Sequence, residues 1–196
     1  LKGGSTACQS HGSAAMARRA LRGIILLSWY PFTRAGPCLC AFDVDRTLLG
    51  KQGWEEACPG NEVLPGVEDD AYCGGPMTLS RLGQGLAETF CRECYLAIVT
   101  HGIASGPGSR ERAVLASLLS GFRTPPGGWR WSDGCPSPAT SPLVLECDEG
   151  EAKERSLQDV VRWYHTQNIS IAHGDVYFFD DKALNILPLR GSGFNA

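Results

Sequence analysis

Three short apolar runs, each closed by a polar residue suited to chemistry, limit what this chain can fold into. Leu39-Cys40-Ala41-Phe42 runs into Asp43-Val44-Asp45, Tyr95-Leu96-Ala97-Ile98-Val99 into Thr100, and Val176-Tyr177-Phe178-Phe179 into Asp180-Asp181. Unbroken apolar runs of this length read as strands buried on both faces, as in a parallel sheet covered by helices. Helical patterns lie between them. Leu79, Leu82, Leu86 and Phe90 predict a helix over 78–94, weakened by Gly83 and Gly85. Val114, Leu115, Leu118 and Leu119 follow a capping Ser109 and stop at Gly121, and Leu157, Val160, Val161 and Tyr164 line a helix opened by Lys153. Leu143-Val144-Leu145 predicts one further strand before the acidic turn Glu146 to Glu151. Alternating strands and helices predict an α/β fold of three layers, α/β/α and Rossmann-like, with a central parallel sheet. Ligands of such sheets bind beyond the carboxyl ends of the strands, which is where all these polar residues are expected.

The acid pair after the first run is spaced i, i+2. Side chains alternate along a strand, so this spacing aims Asp43 and Asp45 the same way. Two carboxylates delivered to one point would serve as nucleophile and proton donor around a shared cation. The competing reading is an apolar strand followed by an ordinary acidic turn. Residues 50–76, polar and rich in Gly and Pro, predict a loop with a small flap.

With 196 residues, 43% hydrophobic and 20% charged, the chain has the composition of one ordinary globular domain or a domain with a tail. A net charge of -3, with no basic run beyond Arg18, Arg19 and Arg22, argues against a nucleic-acid partner. Nine cysteines at irregular spacing do not suggest a disulfide framework. Cys91 and Cys94 form a C-x-x-C with no second pair for a zinc site, so buried free thiols in a reducing, cytoplasmic setting are expected. Residues 1–35 are expected to be a poorly structured or leader-like segment ahead of a domain over 36–196. From Met16, basic residues precede an apolar run, Gly23 to Trp29, that is too short to span a bilayer; an organelle-targeting leader and a surface helix both fit.

Taken in order, Asp43-Val44-Asp45-Arg46-Thr47, a strand ending at Thr100, Lys153 opening a helix, and Asp180-Asp181 after a strand resemble the four motifs of the haloacid dehalogenase (HAD) superfamily. The resemblance covers roughly Cys38 to Ala196. Phe178-Phe179-Asp180-Asp181 followed by Asn185-Ile186 is most similar to the magnesium-dependent phosphatases without a large cap. The resemblance implies a Mg²⁺-dependent phosphatase, a hydrolase working through an aspartyl-phosphate. Asp43 would be the nucleophile and Asp45 the proton donor and later the base. Thr100 would bond a phosphoryl oxygen, and Lys153 would neutralise that group and Asp43. Mg²⁺ would be held by Asp43, the Asp45 backbone carbonyl, Asp180 and Asp181, with Asp181 the direct ligand and Asp180 supporting it. Taken alone, Thr100 reads as a turn residue and Asp180-Asp181 as a helix cap. Lys51 and Lys182 compete with Lys153, which alone lies at a helix start between the second and fourth motifs. His101 is expected either behind the site or exposed.

Two departures stand out. Arg46 occupies a position where many members of the superfamily have Gly, and it would either hold phosphate or point to solvent. The chain also stops soon after the fourth motif, where many members continue into a last strand and helix. Neither gap between motifs is expected to hold a folded cap, so the substrate would be a phosphorylated small molecule or a phosphoprotein. The segment Gly127-Gly128-Trp129-Arg130-Trp131-Ser132 is expected to form no regular element, and either packs on the core or leans over the site. The alternatives of another class are a non-catalytic HAD-like domain binding a phosphorylated ligand or partner protein, which would be expected to lack one acid of the first motif, and a dehalogenase, which would not need Asp45.

Overall fold

The computed structural model describes residues 36–50, 60–69, 74–101, 105–133, 138–145 and 153–196. In chain order the elements are β1 (Leu39–Phe42), β2 (Glu62–Glu68), β3 (Pro76–Leu79), α1 (Arg81–Gly85), β4 (Tyr95–Thr100), α2 (Arg110–Leu119), β5 (Trp131–Ser132), β6 (Leu143–Leu145), α3 (Lys153–Thr166), β7 (Val176–Phe179) and α4 (Ala183–Ile186). Five strands form one sheet in the order β5-β6-β4-β1-β7, with every neighbouring pair parallel. Strands β2 and β3 pair antiparallel as a separate hairpin, the flap expected before Pro76.

Alternation along β1 explains why its sequence is apolar throughout. Cys40 and Phe42 enter one core layer with Leu115 and Leu119 of α2, whereas Leu39 and Ala41 enter the other with Leu157, Val160 and Tyr164 of α3. Helices therefore cover both faces, and the three-layer Rossmann-like α/β fold expected from the sequence is present. The Ser109 cap is also present: its hydroxyl accepts from the Arg112 amide. On the other face, the Tyr164 hydroxyl donates to the Leu96 carbonyl at 2.7 Å, which satisfies the polar tip of a fully buried ring. After β1 the chain moves to β4 on one side, and only later to β7 on the other. β1 is thus the point where strand order reverses, and crevices form at such points. Asn195 pairs parallel with Tyr177 outside β7, its amide donating to the Val176 carbonyl at 2.9 Å.

Three expectations are corrected. The helix over 78–94 is instead the end of β3, the short α1 and two 3₁₀ turns, Leu86–Glu88 and Phe90–Glu93. Ser80 and Thr89 each cap a new start, and Phe90 at the end of the apolar pattern is half exposed. Trp131 and Ser132 form a regular element, β5, pairing with Leu143 and Val144 at the sheet edge. Trp129 and Trp131 both pack on the core layer beneath α2, as the first of the two readings of that segment expects. Finally, the four cysteines among the described residues are not free thiols: Cys38 bonds Cys94 and Cys40 bonds Cys91. Parallel pairing of Leu39 with Tyr95 sets these side chains against one another, and the expectation of a reducing cytoplasmic setting loses its ground at these positions.

The leader expected from Met16, all of 1–35, and the acidic turn Glu146 to Glu151 lie outside the described residues. No helix among the described residues is long and apolar enough to cross a membrane.

Candidate active site

Strand register builds the site. Phe42 lies opposite Phe179, and the ladder continues one residue further, with the Asp43 amide donating to the Phe179 carbonyl at 2.9 Å. Asp43 and Asp180 therefore emerge side by side at the carboxyl ends of adjacent strands. Lys153, the first residue of α3, reaches both: its Nζ lies 2.6 Å from Asp43 Oδ1 and 2.6 Å from Asp180 Oδ2. Asp43 is 5% and Lys153 6% exposed, so the pair is withdrawn from water. A lysine opening a helix opposes the helix dipole, and these two carboxylates are the compensation.

Burial and charge pull against each other here. Burial pushes the Asp43 carboxyl up from 3.8 to about 6, more than the Lys153 ammonium lowers it, and the neighbouring Asp180 carboxylate adds to the rise. Burial alone would depress Lys153, but Asp43 and Asp180 together outweigh it and hold the ammonium above the usual lysine range. One cation shared by two acids stays charged.

Asp180 is the more fully engaged of the terminal acids. Besides Lys153 it accepts from the Lys182 amide at 2.8 Å, and the Asn185 amide nitrogen lies 2.9 Å from both its oxygens. Its side chain is wholly buried, whereas that of Asp181 is 22% exposed and accepts from Arg46 Nε at 2.7 Å. Asp43, Asp180 and Asp181 each offer an oxygen, all within 4.8 Å of one another.

Residues Val44–Leu48 form one wide turn closed by the Leu49 amide on the Val44 carbonyl at 3.1 Å. Asp45 is buried at its start, and Arg46 sits at φ 62, in the left-handed region that favours Gly. The flap side holds the turn: Ser80 Oγ donates to the Thr47 carbonyl at 2.5 Å, and the Ser80 amide donates to the Leu48 carbonyl at 3.0 Å. Gly83 has its own reason to be Gly, since a Cβ there would fall 2.3 Å from the Leu48 carbonyl oxygen.

Thr100 ends β4, one strand from Asp43. It is completely buried, and its hydroxyl has no hydrogen-bond partner. His101 beside it is half buried, with Nδ1 enclosed and likewise unpartnered, so it is not simply exposed. Both enclosed atoms lack a protein partner at the carboxyl edge of the sheet, where a polar ligand would satisfy them.

The structure thus brings Asp43, Lys153, Asp180 and Asp181 into direct proximity, with Thr100 at the end of the adjacent strand. Strand β1 ends at Phe42 and Asp45 lies in the turn beyond it, so the strand alternation expected to aim Asp43 and Asp45 the same way does not extend to this pair. Arg46, expected either to hold phosphate or to point to solvent, instead pairs with Asp181, and Asn185 bonds Asp180. Arg46 and Asp181 stand 135 positions apart, and no local signal links them. The spacing of Asn185 from Asp180, one turn into a short helix, was a usable signal. No protein-family model matches the chain, and no curated protein matches it.

Proposed function

We propose that this chain is a HAD-type phosphatase without a large cap, a Mg²⁺-dependent hydrolase of phosphomonoesters acting through an aspartyl-phosphate on Asp43. The observation that carries the reading is the Lys153 ammonium bridging Asp43 and Asp180 where two parallel strands end side by side. The site offers a nucleophile, a fixed positive charge and a cluster of acids at one point.

The donor set fits a hard divalent cation. Asp43, Asp180 and Asp181 provide only oxygen ligands, clustered closely enough for one ion, and the resemblance adds the Asp45 backbone carbonyl to that set. When bound, Mg²⁺ would offset the repulsion between these carboxylates and a phosphate dianion. Asp180, held by Lys153, Lys182 and Asn185, would fix the position of the cluster, and the more open Asp181 would be the direct ligand.

Asp43 attacks phosphorus as its carboxylate. The phosphorus bond to the leaving oxygen breaks, and Asp45 gives that oxygen its proton. In the second half, Asp45 takes a proton from water as the water attacks the aspartyl-phosphate, which releases phosphate and restores Asp43. Thr100 donates its unpartnered hydroxyl to a phosphoryl oxygen, and the Lys153 ammonium, which Asp43 and Asp180 hold above the usual lysine range, balances charge on the same group.

Between the first acids and β4, the described residues form one small hairpin, the short α1 and two 3₁₀ turns, with no separate folded unit among them, which supports an open site suited to varied or bulky phosphoesters. Both acids of the first motif are present, which favours catalysis over mere ligand binding. The test is phosphate release from a panel of phosphomonoesters: release that needs Mg²⁺ and stops with EDTA is expected, and equal release in metal-free buffer overturns the scheme.

A further inference from the structure

We propose that Arg46 is a positioning residue that holds Asp181 and sets the balance between cation and phosphate in this site. The inference rests on the phosphatase reading above and deepens it. Of the three clustered carboxylates, Asp43 and Asp180 are answered by Lys153, and Asp181 is answered by Arg46, whose Nε lies 2.7 Å from Asp181 Oδ2. Lys153 is enclosed, but the Arg46 side chain is 38% exposed and its partner Asp181 22%. An exposed ion pair contributes little to stability, so the larger effect of this bond is on the charge of the site. Arg46 occupies the left-handed region at φ 62, where Gly would be unstrained. A non-Gly residue there costs about 1 kcal/mol of strain, so Arg46→Gly removes the charge without a backbone penalty.

Its effect on the site follows from charge. The guanidinium competes with a divalent cation for an Asp181 oxygen and repels it, so it lowers cation affinity. The same charge attracts a phosphate dianion, so it raises anion affinity once the cation is in place. A single side chain therefore moves the two affinities in opposite directions, which a merely structural role does not do.

The test is calorimetric titration of the full chain with MgCl₂, then with inorganic phosphate in saturating Mg²⁺, for wild type, Arg46→Gly and Arg46→Lys. Arg46→Gly suits the backbone and is expected to melt no lower than wild type. In that variant Mg²⁺ should bind about tenfold tighter and phosphate about tenfold weaker, as expected for removing one charge from a half-exposed position. Arg46→Lys restores the charge and should bring both affinities back to within about threefold of wild type. Affinities that stay put, or that move together, overturn this inference and leave the phosphatase reading standing. A wild-type chain that binds neither Mg²⁺ nor phosphate overturns the phosphatase reading, and this inference with it.

Discussion

Lys153 Nζ and Asp43 Oδ1 lie 2.6 Å apart although 110 positions separate them in the chain, and the same ammonium also holds Asp180. This buried triad sets the charge state of the proposed nucleophile. Removing the cation would leave two carboxylates enclosed together. Lys153→Met keeps the length of the side chain and is expected to destabilise the fold by about 3–5 kcal/mol at neutral pH, the usual consequence of orphaning a buried ion pair. Urea denaturation measures this, and a midpoint within error of wild type contradicts the burial and pairing described here.

The raised Asp43 carboxyl makes a signed prediction about pH. In chelator-containing buffer, the native state keeps a proton on Asp43 between 3.8 and about 6 that the unfolded chain has released. Stability from this group is therefore full below the lower value, falls as pH rises through the window, and levels off above it. The total is about 3 kcal/mol. Asp43→Asn lacks the group, so the difference in stability between the two proteins should shrink or reverse in favour of the variant as pH rises from about 4 to about 6.5. Parallel pH profiles would contradict the assignment.

The disulfides Cys38–Cys94 and Cys40–Cys91 span 56 and 51 positions and tie β1 to the turns that precede β4. Each closes a loop long enough to stabilise by about 4 kcal/mol in the chain-entropy account, and together by less than the sum because the loops overlap. Reduction under denaturing conditions followed by refolding with thiols blocked should lower the urea midpoint clearly. An unchanged midpoint would show that these bonds are not holding the two strands.

How far the sequence revealed all this depends on the range of the interaction. Apolar runs closed by Asp43, Thr100 and Asp180 were legible because burial on both faces and a polar end are local signals. The helix pattern at Leu79, Leu82 and Leu86 misled for the same reason: Leu79 is taken by pairing with Glu62 in the hairpin, and Gly83 is there for close contact with Leu48. The cysteine pairing, the two-residue strand at Trp131 and the Arg46–Asp181 bond depend on which strands lie side by side, and spacing along the chain does not encode that.

Trp129 separates packing from recognition. Its ring packs on the core while its Nε1 is enclosed without a partner. Trp129→Ala is expected to cost about 3 kcal/mol, whereas Trp129→Phe, which also removes the unsatisfied donor, should cost distinctly less. Arg130 is exposed beside it, and Arg130→Ala should change neither melting temperature nor KM. A rise in KM for bulky substrates in Trp129→Phe, without loss of stability, would return this segment to the site.

The nucleophile is tested most directly by comparing phosphate release by wild type and Asp43→Asn with Mg²⁺ and the best phosphomonoester of a panel, both proteins being confirmed folded by circular dichroism. The amide is nearly isosteric but does not attack phosphorus, so turnover should fall by at least about a thousandfold. Retention of wild-type turnover by Asp43→Asn, or no release by the wild-type chain on any phosphomonoester, would contradict the account.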